Sequence, residues 1–220
     1  MRVLRIATLI GGLLMTGLAQ ATLVNPGFEA GFTGWNTTGQ TTVSGFANEG
    51  TASANLVAGT TAIGSVESSL GLTAGSIDAA TADGTNGTGK PTDGAAIWQS
   101  TTASNGEVFE FAWYHVDNDG AGWNDTSIAA LVTPTSQQII TLGDGSLNFG
   151  TSGWMTGSLT APEAGSATLG FVMFNQGDTS VDSEVFVDST SVPAPGVLSL
   201  LAMGLVGLGL GRRGKPVAPV

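Results

Sequence analysis

The side chains with most chemical potential in this sequence are carboxylates and indoles. Asp117-Asn118-Asp119 is followed by Asn124-Asp125, a run of oxygen donors of the kind calcium collects, since that ion takes six to eight oxygen ligands. The spacing matches a twelve-residue calcium loop only at its start: Ala121 holds the fifth position and Ile128 stands where the bidentate glutamate belongs. Asp117 and Asp119 are therefore either calcium ligands or the solvated carboxylates of a turn. The tryptophans Trp35, Trp98, Trp113, Trp123 and Trp154 offer a second chemistry. The C–H face of a pyranose packs on an indole, whose N–H can reach a hydroxyl. Trp98 and Trp113 sit in strand patterns and are expected inside, whereas Trp123 and Trp154 lie among glycines and are expected at the surface. Trp123, Trp154, Asn124 and Asp125 are the candidate glycan contacts.

Catalytic chemistry finds little support. The one histidine, His115, lies in a strand pattern, cysteine is absent, and no Gly-x-Ser-x-Gly motif occurs, so a Ser/His/Asp or Cys/His mechanism has no basis. The same counts disfavour zinc or copper. Among 17 acidic residues, some pair falls at a glycosidase-like separation by chance, and a coincidence of that kind is not a site.

Charge narrows the partners. The chain has 220 residues, six Lys or Arg, 17 Asp or Glu and a net charge of −11. Arg2 and Arg5 lie at one extremity and Arg212, Arg213 and Lys215 at the other, which leaves Lys90 alone against all 17 acids, a net −16 in between. Such a body repels nucleic-acid phosphates and anionic lipid and attracts cations.

The residues that must be positioned lie in a β-rich body. Gly, Thr, Ser, Ala and Asn dominate from Thr22 to 191, with short alternating apolar runs and no helical period longer than a turn or two. In 107–116, Phe109, Phe111 and Trp113 share one face, and Glu110, Ala112 and Tyr114 the other. Further strands are expected at 95–100, 127–132, 138–142, 166–174 and 184–188. Turns are expected at Asn118-Asp119-Gly120, Gly143-Asp144-Gly145 and Asn175-Gln176-Gly177-Asp178. The Gly-rich segment 73–94 lacks aromatics and reads as a long surface loop. The pattern predicts one all-β domain over 22–191, an antiparallel sandwich.

The two ends read as addresses. Met1 to Arg5 is charged, Ile6 to Ala19 is apolar, and Ala19-Gln20-Ala21 offers small residues for cleavage, the order of a signal peptide over 1–21. At the other end Val192-Pro193-Ala194-Pro195-Gly196 precedes an apolar run, 197–210, and a basic stop at 212–215. As a helix the run is about 21 Å long, short of the roughly 30 Å hydrocarbon core. This tail, 192–220, resembles the PEP-CTERM sorting signal of Gram-negative bacteria that make exopolysaccharide, with Pro193 and Pro195 matching, Ala194 replacing the usual Glu, and Arg212 and Arg213 supplying the arginine cluster. The resemblance implies an exosortase in the inner membrane as processing partner, and a destination at the cell surface or in the extracellular matrix.

A second resemblance covers the body. Asn25-Pro26-Gly27-Phe28-Glu29, then Gly34-Trp35, is similar to the opening strand of galactose-binding-like jelly-roll domains, including many carbohydrate-binding modules, and Val185-Phe186-Val187-Asp188 resembles their closing strand. Proteins of that family often carry a structural calcium near the first and last strands, which implies Glu29 and Asp188 as ligands. No other cofactor is required. The combined reading is an exported, non-enzymatic surface or matrix protein that associates with extracellular polysaccharide. A purely structural biofilm or envelope component is the alternative, and a secreted glycosidase a distant third.

Overall fold

The computed structural model describes residues 23–81, 89–119, 125–144, 147 and 149–191. The expected signal peptide, the sorting tail with Pro193, Ala194, Pro195, Arg212 and Arg213, and the ligand candidates Trp123 and Asn124 lie outside the described residues. Among the described residues no helix is long and apolar enough to cross a membrane.

In chain order the elements are β1 (Asn36–Thr38), β2 (Gln40–Ser44), β3 (Ser53–Val57), β4 (Thr61–Ala62), α1 (Ile63–Leu70) and α2 (Ser76–Thr81). There follow β5 (Pro91–Ala103), β6 (Val108–Val116), β7 (Thr126–Val132), β8 (Gln137–Gly143), β9 (Met155–Thr160), β10 (Gly165–Gln176) and β11 (Glu184–Ser191). All pairings are antiparallel. One sheet runs β1-β5-β10-β7-β8, with β4 also on β5, and the other runs β2-β3-β11-β6-β9. The chain is an all-β, two-sheet antiparallel sandwich.

Alternation along the strands explains the layers. Phe109 and Phe111 of β6, Val185 and Val187 of β11, and Leu56 of β3 point inward against Ile97, Leu169 and Phe171 of the larger sheet and form the central core. A second core lies on the far side of the six-stranded sheet, where Val66, Leu70, Leu72 and Ile77 cover Ala96, Ile128, Ala130, Val172 and Phe174. Strand β7 is therefore buried on both faces from Thr126 to Leu131, which accounts for its nearly continuous apolar run. The five-stranded sheet has no such cover in the described residues.

Several expectations need correction. Segment 73–94 is not all loop: α2 lies within it, and Ile77 is fully buried. Glu67 on α1 holds that helix start, its carboxylate accepting the N–H groups of Gly75 (2.8 Å) and Ile77 (2.9 Å). The opening segment, expected as a strand, is a series of turns. There the Asn25 amide donates to Gly31 O and accepts from Ala30 N, while Trp35 Nε1 donates to Asn25 O. Those bonds fix Phe28 against Trp35, ring centroids 5.0 Å apart, inside the core. The closing strand still reaches this segment, since Thr190 N donates to Pro26 O. Asn175 and Gln176 belong to β10, which continues through a register shift where a turn was expected. Trp98 and Trp113 are half-buried, at the margins of the two cores rather than within them.

Candidate functional site: the open face of the five-stranded sheet

Helices cover the outside of one sheet, so the outside of the other is where strand side chains meet solvent. The register places Phe186 opposite both Asn55 and Tyr114, and Trp113 opposite Met155. Asn55, Phe186 and Tyr114 thus form a row across three strands, and Trp154 stands at the end of that row, just before β9. Phe46, from the loop after β2, lies against all three aromatics: it stacks on Trp154 (5.4 Å, 23°) and meets Tyr114 (4.9 Å) and Phe186 (5.0 Å) edge to face. Phe46 remains 44% exposed. Four aromatic rings on one sheet face form a half-apolar surface of the kind on which a sugar ring can pack.

Next to this row the face becomes a groove of about 920 Å³. Ala112 and Asp188, which pair one step along from Tyr114 and Phe186, lie on its wall together with Glu49, Glu110, Thr156 and Ser158. Ala112 keeps the floor low while the carboxylates and hydroxyls supply hydrogen-bonding groups. The groove and the aromatic row are adjacent, so one extended ligand can contact both. Of the sequence candidates, Trp154 belongs to this face and Asp125 does not. Phe46, Tyr114 and Phe186 were missed because each reads as an ordinary strand or loop aromatic until the register brings them together.

Glu29 and Asp188 both border the groove, and both hold the loop between β2 and β3. Glu29 Oε1 accepts Thr51 N (2.7 Å) and Ala52 N (3.1 Å), and Oε2 accepts the Thr51 hydroxyl (2.6 Å). The Thr51 hydroxyl first, and then its amide, keep the Glu29 carboxyl below its ordinary range. Asp188 Oδ2 accepts Asn48 N (2.7 Å) and Glu49 N (2.8 Å). The carboxylates are thus engaged by backbone N–H groups and the Thr51 hydroxyl, whereas calcium takes six to eight oxygens. The pair clamps the loop that carries Phe46.

A separate group of acids gathers at the turn end of the sandwich. Asp117, Asp119 and Asp125 come from the β6–β7 connection, Asp178 and Asp182 from the β10–β11 connection, and Asp117, Asp119 and Asp125 are buried. Ser183 N donates to Asp125 Oδ2 (2.8 Å), and the Asn118 amide reaches Asp182 O (3.0 Å). Burial pushes the Asp125 carboxyl up to about 7, helped by the charge of Asp119. Asp119 rises to about 6, through burial first and then Asp178, Asp117 and Asp182. Among the described residues no three acidic or histidine side chains already surround one point as metal ligands. His115 is buried with Nδ1 2.9 Å from the Ser127 hydroxyl, and burial holds it down at about 4, the behaviour of an interior neutral imidazole.

No protein-family model matches the chain, and no curated protein sequence does. Solved structures with a similar course of chain include carbohydrate-binding modules. TmCBM61 in complex with β-1,4-galactotriose is 13% identical and has a TM-score of 0.49, with 79% of this chain and 98% of that one covered. The CBM22-1 xylan-binding domain of Xyn10C from Paenibacillus barcinonensis is 16% identical with a TM-score of 0.42, covering 80% and 96%. The K3 cleaved adhesin domain of Lys-gingipain from Porphyromonas gingivalis is also similar, at 11% identity and a TM-score of 0.41, covering 77% and 98%.

Proposed function

We propose that this chain is a non-catalytic glycan-binding protein, exported by its signal peptide, sorted through the tail at 192–220 as an exosortase substrate, and displayed at the surface or in the matrix of a Gram-negative cell. The observation that carries the binding reading is the cluster of half-buried Tyr114, Phe186 and Trp154 with exposed Phe46 packed on them, beside a groove with carboxylates and hydroxyls. Aromatic faces take the C–H surface of successive sugar rings, and polar groups along the groove read their hydroxyls. Extracellular polysaccharide is the ligand class. Glu29 and Asp188, engaged by the N–H groups of the β2–β3 loop and by the Thr51 hydroxyl, serve this reading by fixing the Phe46 loop.

Affinity electrophoresis of the full chain through gels containing neutral polysaccharides tests the reading. Retardation by a subset of polymers is expected, and W154A and F46A should each weaken binding about tenfold, equivalent to ~1.4 kcal/mol, without releasing sugar from the polymer. Unchanged retardation in both variants would remove the aromatic face from the account. No retardation by any polymer would favour the structural matrix component instead.

A further inference from the structure

The glycan face leaves one feature of the molecule without a role: the acidic group between the β6–β7 and β10–β11 connections. Like charges are brought together there at the expense of burial. Asp119 and Asp125 are 5% and 1% exposed. Asp125 accepts the Ser183 N–H at Oδ2 and has the Ser183 hydroxyl and the Gln176 N–H as further donors, but its Oδ1 has no hydrogen-bond partner, and neither does Asp119 Oδ2. Asn175, fully buried on β10, donates its amide to Asp182 (3.2 Å) and Asp93 (3.0 Å), and its Oδ1 is also unpartnered. Three buried oxygens without donors are costly in a folded chain, where such groups are ordinarily paired. Lys90, the one basic residue of the body, is engaged elsewhere with Asp78 at 3.5 Å.

Ser183, whose N–H binds Asp125, follows Asp182, which accepts the Asn175 amide, and the Asp119 carboxylate feels the charges of Asp117, Asp178 and Asp182, so these side chains share one neighbourhood. Asp178 and Asp182 are half-buried and form its solvent side. What satisfies several anionic oxygens at once, with no nitrogen or sulfur ligand among them, is a hard divalent cation. A carboxylate and carboxamide donor set on two separate connections suits calcium, which tolerates irregular coordination, better than magnesium, which demands a near-ideal octahedron.

We propose that Asp119, Asp125, Asp178, Asp182 and Asn175 form a calcium site that ties the β6–β7 connection to the β10–β11 connection. The backbone places the ligands and side-chain rotation completes the shell, since no three of the acids surround one point beforehand. The site is distinct from the Glu29 and Asp188 clamp and is independent of glycan binding.

Calcium added to the chelator-stripped full chain, followed by thermal unfolding, tests it. At a calcium level about a hundredfold above Kd the midpoint should rise by about 5–10 °C. The double variant D119N/D125N keeps side-chain volume and removes two buried charges. Its midpoint in chelator should equal or exceed that of the parent, because repulsion is relieved, while the calcium-induced rise disappears. A merely structural role would lower the midpoint in chelator and leave the rise intact. D178N/D182N, altered on the solvent side, gives a second readout if the first variant does not fold, with calcium affinity expected to fall at least tenfold. E29Q should keep the full rise. No calcium response in the parent, an undiminished response in D119N/D125N, or loss of the response in E29Q alone would overturn the proposal.

Discussion

Replacing Glu67 by alanine isolates the bond set that keeps helix α2 on the six-stranded sheet. Glu67 is 4% exposed, and its two carboxylate oxygens accept separate N–H groups, Gly75 N at 2.8 Å and Ile77 N at 2.9 Å. Alanine cannot reach either, which leaves two helix-start donors without an acceptor, one of them buried. Hydrogen bonds to a charged acceptor contribute about 1.5–3 kcal/mol each, and partial solvation of Gly75 N offsets some of the loss, so the expected destabilisation is about 2–4 kcal/mol. For a body of this size that corresponds to a drop of roughly 5–15 °C in midpoint. Hydrogen exchange should speed up at Gly75, Ile77 and the rest of α2 before it does at β7 and β10. Because Glu67 lies on the opposite side of the sandwich from Phe46 and Trp154, glycan affinity below the midpoint should stay unchanged. A loss under about 0.5 kcal/mol, or exchange that quickens evenly over the whole fold, would refute the assignment of Glu67 as the tether of α2.

Other perturbations follow from single contacts. A Cβ added at Gly94 would lie 2.4 Å from Met173 O, a backbone atom in the paired strand, so G94A should cost about 2–4 kcal/mol in a chemical denaturation series. His115, held at about 4 by burial, stays neutral in the fold while the unfolded chain takes up a proton below about 6.5, so stability is lost as pH falls from 6.5 toward 4. Measured against H115Q, the loss should be about 2 kcal/mol at pH 5, and parallel curves for the two proteins would contradict it. The subtraction removes Asp119 and Asp125, whose raised values act with the opposite sign. Trp35→Phe deletes the bond to Asn25 O (3.1 Å) while keeping most of the ring, and should lower stability by about 1 kcal/mol in the same assay.

Strands were legible where alternation is local. The pattern at 107–116 put Phe109 and Phe111 on one face and Glu110 and Tyr114 on the other, and in β6 the first pair is buried while Glu110 is exposed and Tyr114 half-buried. The strands from Asn36 to Val57 were not legible, because NTT, QTTVS and SANLV carry few large apolar residues, and β1 and β3 depend on partners far along the chain, on β5 and β11. Helix α2 escaped notice for a related reason: its burial rests on Ile77 and on a carboxylate eight to ten residues earlier, neither of which stands out by period. Trp154 was expected at the surface from its glycine-rich neighbours and is half-buried, with Phe46 stacked on it. Its platform was invisible, since Phe46, Tyr114 and Phe186 are spread over 140 residues and meet only through strand register. Asp117, Asp119 and Asp125 were visible as a run of acids, but their companions Asp178 and Asp182 required the fold to place two connections side by side.

The central claim is that the open face of the five-stranded sheet is where polysaccharide binds. Hydroxyl-radical footprinting of the full chain with and without a polymer that retards it on gels tests this most directly, because it reports side-chain accessibility residue by residue. The account predicts that saturating polymer protects Phe46, Tyr114 and Trp154 several-fold and leaves Ile139 and Ile140, on the other sheet, unchanged. Protection confined to β8 or the helices, with Phe46 and Trp154 as reactive as before, would contradict it.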